Sequence, residues 1–362
     1  MGKSQSVRSG DRLFEVDAVK FFAIIYMILI HVYERFGKFD FDHTMPDSVY
    51  RNLMEFFGGP LAAPVFMFCM GIGMIYTRHD SPSQFIRRGF KLLLTGYALN
   101  FFRQTLPMLI GMAMGIETEF SLIGGLLNVD ILPFAGMAFM TIGLMKKFKI
   151  PSWGMCGIAV VLQAIGIWAT KLKIASVGLA TFIGLLIPSG DHVAFPMTLW
   201  LIYPVLGMIF AERLKKTSDR RKLYKDLMIA SAVAFVGYTV ALIYIGYDIR
   251  LIYALYELSY YDQTILSTLW ITPLMIIAMG SCYFLFGGLE KNTIGKFIRH
   301  CSVNLNTIYI IQWILIAYVF AFSILFGAEL TASPLILTLI GLSILTASIL
   351  IMTLYRKIRR SK

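Results

Sequence analysis

The chain has 362 residues, 57% hydrophobic and 15% charged, with a net charge of +12 and a mean hydropathy of +0.71. Soluble domains are about 45–50% apolar and about 25% charged, so this composition excludes a water-soluble domain and predicts an integral membrane protein. The Lys and Arg residues cluster between apolar runs, the positive-inside pattern of cytoplasmic loops, so no nucleic-acid partner is implied.

The first apolar run, 14–34, carries Asp17, Lys20 and His31 among Phe, Ile, Leu and Met, with Glu34 and Arg35 at its end. No small-residue cleavage site follows it, so the run is expected to stay as the first helix behind a cytoplasmic N-terminus over 1–12. At about 100° per residue, Lys20 and His31 fall about 20° apart around the helix, with Asp17 within about 60° of both. One face thus carries acid, cation and imidazole over about 21 Å. Ionisable groups are expensive inside a bilayer and are functional candidates by default. His31 and His43, the latter beside Asp40 and Asp42 in the next loop, are candidate bases, since an imidazole oriented by a carboxylate suits acyl transfer to a hydroxyl or amine. The bland alternatives are an interfacial His31 and a solvated His43.

The second run, 58–77, holds Pro60, Pro64, Gly71 and Gly73, a small-residue seam that permits close helix packing or a homodimer. Arg87, Arg88 and Lys91 open the third run, 88–113. They could hold the phosphates of a nucleotide carrier or simply mark the cytoplasmic side. Further along, Arg103 should lie inside the membrane and need a carboxylate or a water-filled cavity, with Asp130, Asp17 and Glu117 as candidate partners. Further runs cover 127–145, 151–170, 195–212, 227–247, 264–287, 303–326 and 334–355, and a shorter one, 174–187, ends at Pro188.

Lys146, Lys147 and Lys149 and the basic segment 213–225 should both be cytoplasmic, so an even number of crossings must join them. Runs 151–170 and 195–212 provide two, and 174–187 becomes a short or re-entrant outer element. The fold expected is all-α and polytopic: one domain over 1–362, ten transmembrane helices, both termini cytoplasmic, and a basic tail over 356–362. Asp191 and His192 form an acid–His pair on the outer side. Asn304 and Gln312, eight apart, should share a face and line a pocket or join helices. Cys69, Cys156, Cys282 and Cys301 lack framework or zinc-type spacing and read as packed thiols; no metal site is expected.

Several segments in order resemble the transmembrane acyltransferases. They are Arg12-Leu-Phe-Glu-Val-Asp17-Ala-Val-Lys20 with Tyr26-Met-Ile-Leu-Ile-His31, then Ala63-Pro-Val-Phe-Met-Phe-Cys-Met-Gly71, then Arg87-Arg88 and Val129-Asp-Ile-Leu-Pro-Phe-Ala-Gly136. Phe195-Pro196-Met-Thr-Leu-Trp200-Leu-Ile-Tyr-Pro-Val-Leu-Gly207 and Asn304-Leu-Asn-Thr-Ile-Tyr309-Ile-Ile-Gln312-Trp313 complete the set. The nearest branch is the heparan-alpha-glucosaminide N-acetyltransferase catalytic-domain type, related to the acyltransferase 3 group. Two positions depart from the pattern: Lys20-Phe21 stands in place of Arg-Gly, and Gln312 where many relatives have His.

The resemblance implies transfer of an acyl group, commonly acetyl, from cytoplasmic acyl-CoA to a sugar or other acceptor across the membrane. His31, His43 and Asp17 would be catalytic. Arg12, Lys20, Arg87, Arg88, Lys91 and Arg103 would face the donor, and Glu34, Asp191, His192, Trp200, Asn304 and Gln312 the acceptor. Membrane lipids are the surroundings, and a prokaryotic plasma membrane is the expected location. Two other readings are a transporter or flippase with Asp17 and His31 as a proton relay, and a non-catalytic sensor or scaffold.

Overall fold

The computed structural model describes residues 12–37, 48–116, 121–172, 174–190, 193–255, 260–326 and 333–360. Among these residues the chain is helical, with one isolated parallel bridge between Val129 and Val193. The first half comprises α1 (Phe14–Phe36), α2 (Val49–Gly58), α3 (Ala63–Tyr76), α4 (Pro82–Asn100), a π turn (Phe101–Thr105), α5 (Leu106–Ala113), α6 (Leu122–Leu127), α7 (Ile131–Lys147) and α8 (Ser152–Ala169). The second half comprises α9 (Val177–Ile183), α10 (Met197–Trp200), α11 (Ile202–Lys216), α12 (Arg220–Tyr244), α13 (Arg250–Tyr253), α14 (Ile265–Phe286), α15 (Thr293–Val303), α16 (Leu305–Leu325) and α17 (Pro334–Arg360).

Eight helical stretches among the described residues are long and apolar enough to cross a membrane. The ten crossings expected from the sequence included two more: the α4–α5 stretch, which opens on Arg87, Arg88 and Lys91, and α7, which has only 17 residues. The segment expected to be short or re-entrant contains α9, whose seven residues rise only about 10 Å.

Helix α1 is central. It packs against α2, α3, α14, α15, α16 and α17, and 61% of its most apolar window is buried, against 6% for α12 at the periphery. The acids at its start, Glu15 and Asp17, are therefore buried in protein, where partners can satisfy them. At its first turn Arg12 grips Asp17 through Nε and Nη2, at 2.5 and 2.7 Å, and Ser302 Oγ donates to Asp17 at 2.7 Å. Glu15 accepts from Arg220 and from Tyr224 OH, tying α12 to the same end.

Two small-residue seams set the helix spacing. A Cβ at Gly71 would sit 1.9 Å from Pro204 O, and one at Gly207 2.0 Å from Phe68 O, so α3 and α11 touch backbone to backbone. Gly89 and Gly136 bring α4 and α7 together less tightly, a Cβ at either lying 2.5–2.8 Å from the other's carbonyl oxygen, and a Cβ at Gly96 would strike Pro133 at 2.6 Å. Gly71 of the expected dimer seam is thus used within the chain, while Gly73 faces open space.

One span is broken. Helix α2 and helix α3 form a 28-residue stretch interrupted at 59–62, where Gly59 N donates to Glu55 O at 2.8 Å and Tyr260 OH donates to Gly59 O at 2.9 Å. Backbone irregularity at this depth is tolerated where other groups satisfy it or where it lines a cavity, and here both conditions hold. Helix α2 itself lies in a segment without an apolar run: Ser48 caps it by accepting from Arg51 N at 3.2 Å, and Arg51 pairs with Glu55 at 3.1 Å.

Candidate functional site

The break between α2 and α3 opens onto a small pocket at the C-terminal end of α1. His31 and Glu34 enter it from α1, one turn apart, and Asp130 from the start of α7. Phe195, Tyr260, Tyr261 and Tyr309 supply aromatic walls. The free volume for water centres is about 30 Å³, and about 10–15 Å³ suffices for one water. The pocket therefore takes a few waters or the tip of a substituent, not a sugar ring.

Two residues of α16 hold the imidazole. Trp313 stacks on it with ring centroids 4.0 Å apart and planes 29° apart. The Gln312 amide lies 3.3–3.4 Å from Nδ1 through either of its atoms. With the amide oxygen turned to Nδ1–H, Nε2 carries the lone pair, which is the tautomer a proton acceptor needs. Glu34 accepts from Tyr261 OH at 3.4 Å.

Asp130 is the acid the fold brings to this pocket. As N-cap of α7 it accepts from Ile131 N at 2.7 Å, and it also takes Tyr309 OH at 2.8 Å and Arg103 Nη1 at 2.8 Å. Asn100 fixes the approach, donating to the carbonyls of Leu126 and Asn128 at 3.1 and 2.7 Å while its Oδ1 accepts from Arg103 Nη2 at 3.0 Å. Val129 O then accepts from Ala194 N and Phe195 N at 3.0 and 3.2 Å, which delivers Phe195 to the wall. Of the three acids considered for Arg103, the structure pairs it with Asp130.

The remaining sequence candidates spread over the molecule. Asp17 lies about 21 Å along α1 from His31 and is engaged by Arg12 and Ser302, so Arg12 is also committed there. Lys20 is half-buried between the two ends and makes no ion pair among the described residues. Arg87 and Lys91 are exposed, and Arg88 lies over Phe139 at 4.6 Å. Trp200 is fully buried behind the pocket, its Nε1 donating to Tyr261 O at 3.1 Å. Asn304 donates to His300 O at the junction of α15 and α16, where it is the N-cap residue of α16, about two turns before Gln312. His43, Asp191, His192 and Glu117 lie outside the described residues.

The aromatic walls had little sequence signal. Tyr260 and Tyr261 sit in a polar stretch between spans, and Tyr309 and Trp313 read as ordinary apolar helix residues, although both fall in the segment that carries the late resemblance.

No curated protein and no solved structure matches the chain. A family model described as an acyltransferase domain matches residues 13–353, from before Asp17 to the last turns of α17. The chain therefore belongs to the acyltransferase 3 family.

Proposed function

We propose that this membrane acyltransferase moves an acyl group, acetyl in the simplest case, from cytoplasmic acyl-CoA to a hydroxyl or amino group of a sugar or similar acceptor on the opposite face. Residues 1–362 act as one domain with ten crossings and both termini inside, in a prokaryotic plasma membrane. The branch nearest by its segments is the heparan-alpha-glucosaminide type. The observation that carries the reading is the His31 ring, clamped by Trp313 and Gln312 at the edge of a small, mostly apolar pocket that Glu34 and Asp130 also enter.

Arg87, Arg88 and Lys91 are exposed at the start of α4, suited to the donor's phosphates, and Lys20 offers a further cation on the way inward. Arg12 and Asp17 hold the start of α1 in register, so their contribution to the donor side is indirect. In the pocket, Nε2 of His31 takes the proton of the acceptor O–H or N–H as that atom attacks the thioester carbonyl. The C–S bond then breaks and the thiolate of CoA leaves, recovering the proton from His31. Glu34 receives a hydrogen bond from the acceptor, and Trp200 backs the wall that Tyr261 presents. The pocket volume favours acceptors that project one slender group. His43, Asp191 and His192 belong to the acceptor side of the same scheme, while Asn304, two residues after the Ser302 that holds Asp17, supports the donor-side end of α16.

The experiment is binding and turnover of acetyl-CoA by the detergent-purified protein and its His31→Ala variant. Binding by both with turnover lost in the variant supports the reading; a folded wild type that does not bind acetyl-CoA overturns it.

A further inference from the structure

Arg103 is a buried cation engaged on several sides. Its side chain is 3% exposed. Nη1 is 2.8 Å from Asp130, Nε and Nη2 donate to Asn100 Oδ1 at 3.2 and 3.0 Å, and the guanidinium carbon lies 4.2 Å from the centroid of Trp313. Trp313 in turn stacks on His31. Arg103 is 16 residues beyond Arg87, about 24 Å along a helix, most of a hydrocarbon core about 30 Å thick. Buried and this far along the helix, it does not have the position to hold phosphates presented from the cytoplasm.

Its placement is built rather than incidental. The π turn at Phe101–Thr105 changes the register of the helix at Arg103; such single π turns are rare and frequent at functional sites. The glycine seam between α4 and α7 brings the turn against Asp130. The planar fork of arginine can pair and stack at once, which a lysine ammonium cannot.

We infer that Arg103 is a positioning residue for His31: anchored by Asp130 and Asn100, it fixes the Trp313 ring against which the imidazole is held. The kinetic part of this inference rests on the acyl-transfer reading. Asp130 is held by three donors, Arg103, Tyr309 OH and Ile131 N, one of them a guanidinium, so it serves as the fixed anchor rather than as a second base.

Two measurements test it, and the first needs no turnover. In histidine-labelled protein in micelles, the His31 ring protons, identified by their loss in His31→Gln, should show an upfield ring-current shift from the indole 4.0 Å away. Arg103→Lys, which keeps the charge, should reduce that shift, as should Asp130→Asn, which preserves shape and removes the anchor. An unchanged shift in both variants overturns the inference whether or not the protein is an enzyme. The second measurement is acetyl-CoA turnover. Arg103→Lys should lower kcat at least ~10-fold with donor KM within ~2-fold of wild type. A large rise in donor KM at unchanged kcat would make Arg103 a donor contact, and full activity in Arg103→Lys would reduce it to a counter-charge; either result overturns the inference. A wild type showing the ring-current pattern but no turnover would refute the proposed function and leave the positioning geometry standing.

Discussion

Gly96→Ala is a test of how the scaffold delivers charge to the pocket. The added Cβ would lie 2.6 Å from Pro133 Cδ and 2.8 Å from Cγ, and a proline ring cannot rotate away. Ordinary contact begins near 3.4 Å, so α4 and α7 must part by about 0.8 Å, or strain must accumulate; interiors packed at crystal density have little slack to absorb it. Overpacking of this kind costs about 1–3 kcal/mol. The same separation carried seven residues along α4 would lengthen the 2.8 Å Arg103–Asp130 contact past hydrogen-bond range. A rate loss of ~10-fold or more is expected, since each 1.36 kcal/mol off transition-state stabilisation is about tenfold. Thermal unfolding in detergent and acetyl-CoA turnover should therefore fall together. Gly73→Ala, with nothing within 4 Å of the new Cβ, is the control and should leave both unchanged or raise stability slightly. If Gly96→Ala matched Gly73→Ala in both assays, the seam would not be setting the Arg103–Asp130 distance.

Gln312→Leu keeps the volume but leaves His31 Nδ1 without its partner; the contact is long, so a loss near the low end of about 1–3 kcal/mol is expected, read as a modest fall in Tm together with a fall in kcat/KM of roughly 5–20-fold. Asp17→Ala strips Arg12 and Ser302 of a buried acceptor and should lower thermal stability by about 1–3 kcal/mol, while kcat of the folded fraction stays near wild type; a collapse of kcat in stable protein would restore Asp17 to the chemistry. Arg87→Ala with Arg88→Ala should raise the donor KM with kcat preserved, and the wild-type KM should itself rise with salt because screening acts on exposed charges. Glu34→Gln should weaken the acceptor's KM more than the donor's, measured by varying each substrate at saturation of the other.

The apolar runs were legible because hydropathy is a property of composition and needs no partner. Pairing is not. Asp17, Lys20 and His31 do share a face of α1, yet a face 21 Å long passes two separate neighbourhoods: Asp17 meets α15 at one end, and His31 meets α16 and the start of α7 at the other. Asp130 was one of three acids open to Arg103, and choosing among them required the α4–α7 seam. Helix α2 lies in a polar stretch, where Arg51 and Glu55 depress hydropathy even though they neutralise each other across one turn. The π turn has no composition of its own, since its five residues would serve equally in an α-helix.

Those same departures from regularity are concentrated around one place. The break at 59–62, the π turn at Arg103, the N-cap at Asp130 and the isolated bridge of Val129 to Val193 all border the His31 pocket or hold a residue that does. A membrane interior penalises unpaired backbone, so each irregularity had to be offset by a specific hydrogen bond: Tyr260 to Gly59, Asn100 to Leu126 and Asn128, Ala194 and Phe195 to Val129. Helices alone would have sufficed to span the bilayer, and the seams that pack them leave no need for these devices. Their common effect is to bring one imidazole, one locked ion pair and four aromatic rings around a space the size of a few waters, which is what transfer of a small group to a single protruding acceptor atom requires.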